Sequence, residues 1–236
     1  MISLSDSSGW EYSISGKEFD EKKMLEIMIE QINLRDPDVI EGHNIFNFDL
    51  HYIDIRAKRH KVPLTVGRNK KVIKSYQSRL NIAERTISYR KFETYGRHIV
   101  DTYLLAQMYD VTSRSLESYG LKIVAKHFNV AAPERTYIKP EKINWYYRNN
   151  HKELLKYAMD DARETRAISE ILSQSFFYQT QMFPYSFQNV IIRGNATKID
   201  SLFIREYINA NQSIPHLPRP KEYSGGYTDI FHQGVV

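Results

Sequence analysis

The apolar positions at the start of the chain change period, which predicts strands followed by a helix. Residues 2–14 contain two short runs, ISL and WEYSI, on either side of a polar turn, and the second run alternates like a strand. Residues 18–34 carry apolar side chains at helical spacing, at Met24, Met28 and Ile32. Asp36-Pro37 predicts the end of this helix, because the residue before a proline disfavours the helical conformation.

The remaining pattern predicts further strand, loop and helix units. DVI reads as a short buried strand, GHNIFN as a polar loop and FDLHYIDIRAKRH as a helix. HIVDTYLLAQMY predicts a strand that runs into a helix, and further helices are predicted for SLESYGLKIVAKHF, HKELLKYAMDDARETRAISEIL and SFQNVIIRGNATKIDSLFIREYINAN. A tail rich in Pro and Gly from Ser213 to Val236 indicates a boundary near Asn211. This order of elements predicts the α/β class, with a mixed sheet flanked by helices.

Residues 68–91 differ from the rest of the chain in charge. They contain eight Lys or Arg residues and one acid, Glu84, and TISYRKF alternates like a strand. We interpret the segment as a basic β-hairpin insertion whose lysines could bind phosphates, with Lys70, Lys71 and Lys74 as candidates. A solvated charged hairpin is the alternative interpretation.

Composition narrows the class of protein without identifying it. The chain has 236 residues, 42% hydrophobic content, a net charge of +5 and no cysteine. The lack of cysteine excludes disulfides and thiolate metal sites, and it fits a reducing cytoplasm. Because the sequence has neither a long apolar run nor a secretory signal, we expect a cytoplasmic protein with no membrane partner.

Several acidic residues are candidates for chemistry, although each has a simpler interpretation. Asp49 begins a predicted helix, where a carboxylate is also stabilised by the helix dipole. Tyr157 and Asp161 lie four residues apart on a predicted helix, although an acid run that includes Glu164 could instead be a solvated face. Asp101 could lie near a metal site or cap the helix that follows it.

Considered together, these residues resemble a known family. Asn44, Phe48 and Asp49, followed about a hundred residues later by Tyr157 and Asp161, resemble the second and third exonuclease motifs of DEDD nucleases in their tyrosine-bearing form. GHNIFNFDLHYIDIRA and RHIVDTYLL are similar to the proofreading domain of family B DNA polymerases. The resemblance implies a ribonuclease H-like 3′–5′ exonuclease fold.

The end of the chain extends the resemblance. PYSFQNVIIRGNATKIDSLFIREYINANQSIP is similar to the segment that leads to the polymerase body, and YSGGYTDIFHQGVV to the Tyr-x-Gly-Gly connector. We therefore expect an exonuclease domain over residues 1–175 and a connector towards the polymerase palm over residues 176–236. In the connector, the resemblance implies template contacts by Tyr223, Gly225 and Gly226.

The resemblance also implies a catalytic chemistry. Two Mg²⁺ or Mn²⁺ ions held roughly 3.5 to 4 Å apart would activate a water and neutralise the leaving oxygen. Asp49 and Asp161 would be metal ligands, and the Tyr157 hydroxyl would orient the water. Phe48 would offer a stacking surface to a terminal base, and Asn44 would contact the strand end. The expected partners are a single-stranded DNA 3′ end or primer–template DNA, and the remaining polymerase domains.

One part of the family pattern is absent from the sequence. Family members carry an Asp-x-Glu motif on a strand before the position of ISLSDSSGW, and Asp6, Asp20 and Glu21 do not stand in that arrangement. The polymerase motifs would begin beyond Val236. We therefore expect the chain alone to be inactive or nearly so as a nuclease, because two metal carboxylates are missing. The alternatives are a free-standing DEDD nuclease and a non-catalytic nucleic-acid-binding module.

Overall fold

The computed structural model describes residues 1–216. The strands in this range are β1 (Ile2–Ser5), β2 (Glu11–Ile14), β3 (Val39–Gly42), β4 (Lys74–Ile82), β5 (Arg85–Glu93) and β6 (His98–Asp101). The helices are α1 (Glu21–Arg35), α2 (Asp49–Arg59), α3 (Thr102–Ser113), α4 (Leu121–His127), α5 (Ile143–Asn149), α6 (His151–Leu172), α7 (Gln174–Thr180), α8 (Phe187–Ile192) and α9 (Asn195–Asn209). The predicted α/β class is confirmed.

The strands pair two by two in the described range. β1 and β2 are antiparallel with Ile2 opposite Ile14, and β3 and β6 are parallel with Val39 opposite His98. β4 and β5 form a long antiparallel hairpin, which confirms the predicted basic hairpin over residues 74–93. The strands of the described range therefore form three two-stranded sheets, one parallel and two antiparallel, instead of the single mixed sheet expected from the sequence.

The long helix α6 packs on the β1–β2 sheet and on the β3–β6 sheet. It contacts β1 and β3, and it also contacts α3, α4 and α5. Two apolar clusters form around these elements: one contains Met28, Phe46 and Phe92, and the other contains Val124 and Ile168. Because both flanking sheets and three helices meet on it, α6 holds its inward-facing side chains at fixed positions.

The ends of α1 follow local sequence signals, whereas α4 begins later in the chain than predicted. The carboxylate of Asp20 caps α1, which ends at Asp36 in a left-handed conformation (φ 45°), as Asp36-Pro37 predicts. The helix predicted for residues 115–128 begins only at Leu121. The N–H groups of Ser115 and Leu116 instead donate to the Asp110 carboxylate, which competes with helix hydrogen bonding.

The chain forms two compact units, residues 1–202 and residues 203–236. Within the first unit, the buried Gln188 of α8 accepts a hydrogen bond from the N–H of Ile99 and donates one to the carbonyl of Phe92. The predicted boundary between residues 175 and 176 stays a prediction about function. Tyr223, Gly225 and Gly226 lie outside the described residues. None of the helices described has both the length and the apolar character needed to cross a membrane.

Candidate functional site

The loop after β3 owes its shape to two positions in the sequence. A Cβ at Gly42 would lie 2.6 Å from the Cβ of Ile45, so a side chain there would displace the loop. Asn44 adopts a left-handed conformation (φ 64°), which Asn tolerates better than most residues. The chain can therefore turn sharply between the end of β3 and the start of α2.

The side chain of Asp101 holds this loop in place through hydrogen bonds from the loop backbone. Its Oδ1 accepts hydrogen bonds from the N–H of Asn44 at 2.8 Å and of Tyr103 at 3.0 Å, and its Oδ2 accepts from the N–H of Phe46 at 3.2 Å. Burial raises the pKa of this carboxyl to about 6, although the three N–H groups oppose the shift. The helix-cap interpretation of Asp101 is confirmed, and the same carboxyl also organises the loop.

His43 ties the loop to two further segments. Its Nδ1 lies 2.9 Å from the hydroxyl of Thr102, and its Nε2 lies 2.8 Å from the carbonyl oxygen of Tyr119. Burial lowers the pKa of this imidazole, which favours the neutral ring. His43 is therefore a structural residue that connects β3, α3 and the segment before α4.

The two phenylalanines that precede Asp49 have different surroundings. Phe46 is buried against Tyr89 of β5, with ring centres 5.3 Å apart. Asn47 accepts a hydrogen bond from the N–H of Arg90, so the hairpin supports the loop. Phe48, in contrast, is 66% exposed. Phe46 therefore anchors the loop, and Phe48 is available for an external contact.

Asp49 and Asp161 approach each other from different helices. Asp49 is the first residue of α2, as predicted, and Asp161 lies in α6. Burial raises the pKa of Asp49 to about 6, and the negative charge of Asp161 adds to this shift. The fold thus brings two carboxylates that are 112 positions apart in the sequence into electrostatic contact.

Tyr157 and Asp161 share one face of α6, as their spacing predicts, and each is bound by a cation that sequence reasoning missed. The Nζ of Lys122 donates a hydrogen bond to the Tyr157 hydroxyl at 2.7 Å. The Nη2 of Arg135 donates to Oδ1 of Asp161 at 2.5 Å. Residues 120–123 complete a cleft of about 390 Å³ beside Tyr157 and Asp161. No sequence signal marked either cation, because both contacts depend on tertiary folding.

The carboxylates of Asp49, Asp101 and Asp161 do not form a complete two-metal centre. Among residues 1–216, no group of three or more His, Asp or Glu side chains is arranged to hold a metal ion. Asp101 is committed to backbone N–H groups, and Asp161 is paired with Arg135. Asp49 and Asp161 therefore provide only part of the donor set that two divalent ions need.

The candidate phosphate-binding lysines are exposed, but the fold spreads them along one segment. Lys70 and Lys71 lie in a turn before the hairpin, and Lys74 is the first residue of β4. All three side chains are open to solvent. Their role in DNA binding stays a prediction.

Comparison with known proteins agrees with this geometry. Residues 12–124 match the exonuclease domain of DNA polymerase family B. The chain is 27% identical over 230 residues to a DNA polymerase of Archaeoglobus fulgidus, covering 96% of this chain and 27% of that protein. It is 26% identical over 256 residues to a DNA polymerase of Methanocaldococcus jannaschii, covering 100% of this chain and 14% of that protein.

A solved structure shares the fold. The family B DNA polymerase from Pyrobaculum calidifontis superimposes with a TM-score of 0.73 at 24% identity, covering 94% of this chain and 28% of that one. The ribonuclease H-like exonuclease fold expected from the sequence is thereby confirmed. The chain spans little more than a quarter, or less, of the lengths of these relatives. Together, the matches show that the chain is similar to family B DNA polymerases, and that residues 12–124 match the model of their exonuclease domain.

Proposed function

We propose that the cleft between the start of α4 and α6 receives the 3′ end of a DNA strand, as the proofreading 3′–5′ exonuclease domain of a family B DNA polymerase. The observation that carries this proposal is that Asp49 lies within electrostatic reach of Asp161, which lines the cleft together with Tyr157. These are the residues in which the sequence resembles the second and third exonuclease motifs.

Side chains of the cleft and of the loop before α2 have separate roles in this proposal. The exposed ring of Phe48 stacks on the terminal base, and Asn44 contacts the strand end. Lys122 holds the Tyr157 hydroxyl at the cleft, where it would orient a water. A mismatched end is the substrate because it costs less to unpair than a matched one.

The proposal includes Mg²⁺ or Mn²⁺ as the cofactor of the complete domain, to which Asp49 and Asp161 would contribute carboxylate ligands. Such ions supply an activated water and charge neutralisation. Since the described residues provide only part of the donor set, we expect the 236-residue chain to show little or no hydrolysis of single-stranded DNA with Mn²⁺. Turnover that Asp49→Ala abolishes would contradict this expectation.

The proposed partners follow from the same family. They are the single-stranded 3′ end or a primer–template duplex, together with the remaining polymerase domains, and the proposed location is the cytoplasm. Lys70, Lys71 and Lys74 would neutralise phosphates of the bound strand, because this contribution to affinity does not depend on sequence. Tyr223, Gly225 and Gly226 remain proposed template contacts outside the described residues.

Removing the Phe48 ring tests DNA binding at the cleft. We expect Phe48→Ala to weaken binding of a short single-stranded DNA about tenfold, since stacking on one aromatic ring contributes roughly 1 to 3 kcal/mol per base. Fluorescence anisotropy in EDTA measures the dissociation constant without metal or hydrolysis.

The matched control is Phe177→Ala. Phe177 lies on α7 and is 55% exposed, so the chemical change and the exposure are similar while the location differs. We expect this variant to bind DNA as the wild type does. Equal weakening in both variants, or none in Phe48→Ala, would count against the cleft as the binding site.

A further inference from the structure

Glu164 has an unexpected environment beside Asp161 on α6. The sequence suggests a solvated acid run at this point of α6, but Asp160 is buried and pairs with Arg163. Glu164, one turn beyond Asp161, is instead only 3% exposed. Within residues 1–216, neither of its carboxylate oxygens has a well-aligned hydrogen-bond donor. A buried carboxylate with so little support needs a nearby cation.

Arg135 is that cation, and it is shared. Its Nη1 lies 3.0 Å from Oε1 of Glu164, and its Nη2 lies 2.5 Å from Oδ1 of Asp161. The guanidinium carbon lies 5.3 Å from the ring centre of Tyr137 and 5.6 Å from that of Tyr157. With its side chain 1% exposed, Arg135 is held between two carboxylates and two aromatic rings.

The cluster has the charges of a cation-binding site in which the cation is a side chain of the protein. Asp161 and Glu164 present oxygen ligands one helical turn apart, which is the donor chemistry of a divalent cation. A guanidinium occupies the space between them and forms a fork that suits two carboxylates. Because it is attached to the chain, it cannot diffuse away as a bound ion can.

We propose that Asp161 and Glu164 form a latent divalent-metal site whose resident cation is the Arg135 guanidinium, so that a metal ion reaches Asp161 only when the guanidinium is displaced. Glu164 is then a carboxylate ligand that the exonuclease motifs do not include. The inference deepens the proposed function and rests on it, because it concerns the same cleft.

The test is a titration of Mn²⁺ into the full chain by calorimetry near neutral pH. We expect Arg135→Gln to bind Mn²⁺ at least about tenfold more tightly than the wild type, a change typical of residues that control metal ligands. The double variant Arg135→Gln, Glu164→Gln should return to the wild-type affinity. Equal affinity in the wild type and Arg135→Gln, or a gain that survives in the double variant, would overturn the proposal.

Arg135→Lys keeps the test decisive if Arg135→Gln does not fold. A lysine retains the positive charge but is a single point of charge that cannot bridge both carboxylates with a planar fork. We expect this variant to keep the circular dichroism spectrum of the wild type and to bind Mn²⁺ more tightly than it. An unchanged affinity in folded Arg135→Lys would overturn the proposal.

The two experiments distinguish failure of this inference from failure of the proposed function. DNA binding at the cleft is measured in EDTA and depends on Phe48, whereas the calorimetric titration contains no DNA. A chain that binds DNA normally but shows no gain in Mn²⁺ affinity retains the proposed function and loses this inference. A chain with the gain in Mn²⁺ affinity and no DNA binding at the cleft loses the proposed function.

Discussion

Asp101→Ala is expected to lower the free energy of unfolding by about 3 kcal/mol, because buried N–H groups that lose their acceptor each cost roughly 1 to 3 kcal/mol. Three such groups depend on Asp101: those of Asn44, Phe46 and Tyr103. The first two shape the loop that leads to Asp49, and the third begins α3. Urea denaturation of the wild type and the variant measures the loss.

Two further variants control this prediction. Asp200→Ala removes an exposed carboxylate from α9 and should change stability by less than about 0.5 kcal/mol. Asp101→Asn keeps the shape and one acceptor oxygen, so its loss should lie between those of the wild type and Asp101→Ala. If Asp101→Ala were as stable as Asp200→Ala, the loop would not depend on this carboxylate.

Asp49→Asn is expected to stabilise the fold by about 2 kcal/mol at about pH 7.5, since each unit of pKa shift corresponds to about 1.4 kcal/mol and part of the shift is relieved by solvent. Burial and the charge of Asp161 raise the pKa of the Asp49 carboxyl to about 6, from its usual value of 3.8. An amide fills the same space and carries no charge. A catalytic carboxylate needs its charge even where that charge destabilises the fold. Replacing it with a neutral amide is therefore expected to increase stability.

The stability gain of Asp49→Asn is expected to increase with pH. A carboxyl whose pKa is raised on folding contributes stability below its unfolded pKa, and that contribution is lost as the pH rises through its folded pKa. The advantage of Asp49→Asn should therefore fall to about 1 kcal/mol at about pH 5 and disappear towards lower pH. Because both proteins share every other titrating group, the difference between their stabilities isolates Asp49.

The matched control is Asp54→Asn on the same helix. Asp54 accepts a hydrogen bond from the Nζ of Lys58 at 2.7 Å, so its amide should lose a little stability at neutral pH. Chemical denaturation between about pH 5 and pH 7.5 measures both variants. An Asp49→Asn variant that is less stable than the wild type across this range would show that the charge of Asp49 is favourably solvated in the fold.

Much of the site could be predicted because its motifs lie where local signals are strong. The polar loop after β3 places Asp49 at a helix start, and the four-residue spacing puts Tyr157 and Asp161 on one face of α6. The sequence could not distinguish the two phenylalanines. Phe46 is buried in a core cluster that includes Tyr89 of the hairpin, and this contact is made across 43 residues of chain.

The rest of the site depends on contacts between distant segments. Arg135 lies in an irregular stretch with no periodic pattern, and its partners Asp161 and Glu164 lie on a helix that follows later in the chain. Lys122 sits on a short helix that begins later than its apolar pattern predicts. Glu164 looked like part of a solvated acid run, because burial of a charge becomes evident only once its partner is placed.

The position of a bound 3′ end tests the central claim most directly. A short single-stranded DNA with a photoreactive 4-thiothymidine as its 3′-terminal nucleotide would be irradiated with the full chain in EDTA, and the linked peptide identified by mass spectrometry. The same label at the 5′ end serves as the control. The account predicts that the 3′ label links to Phe48 or Tyr157, and that the 5′ label does not. Linkage of the 3′ label only to residues outside the cleft would contradict the account.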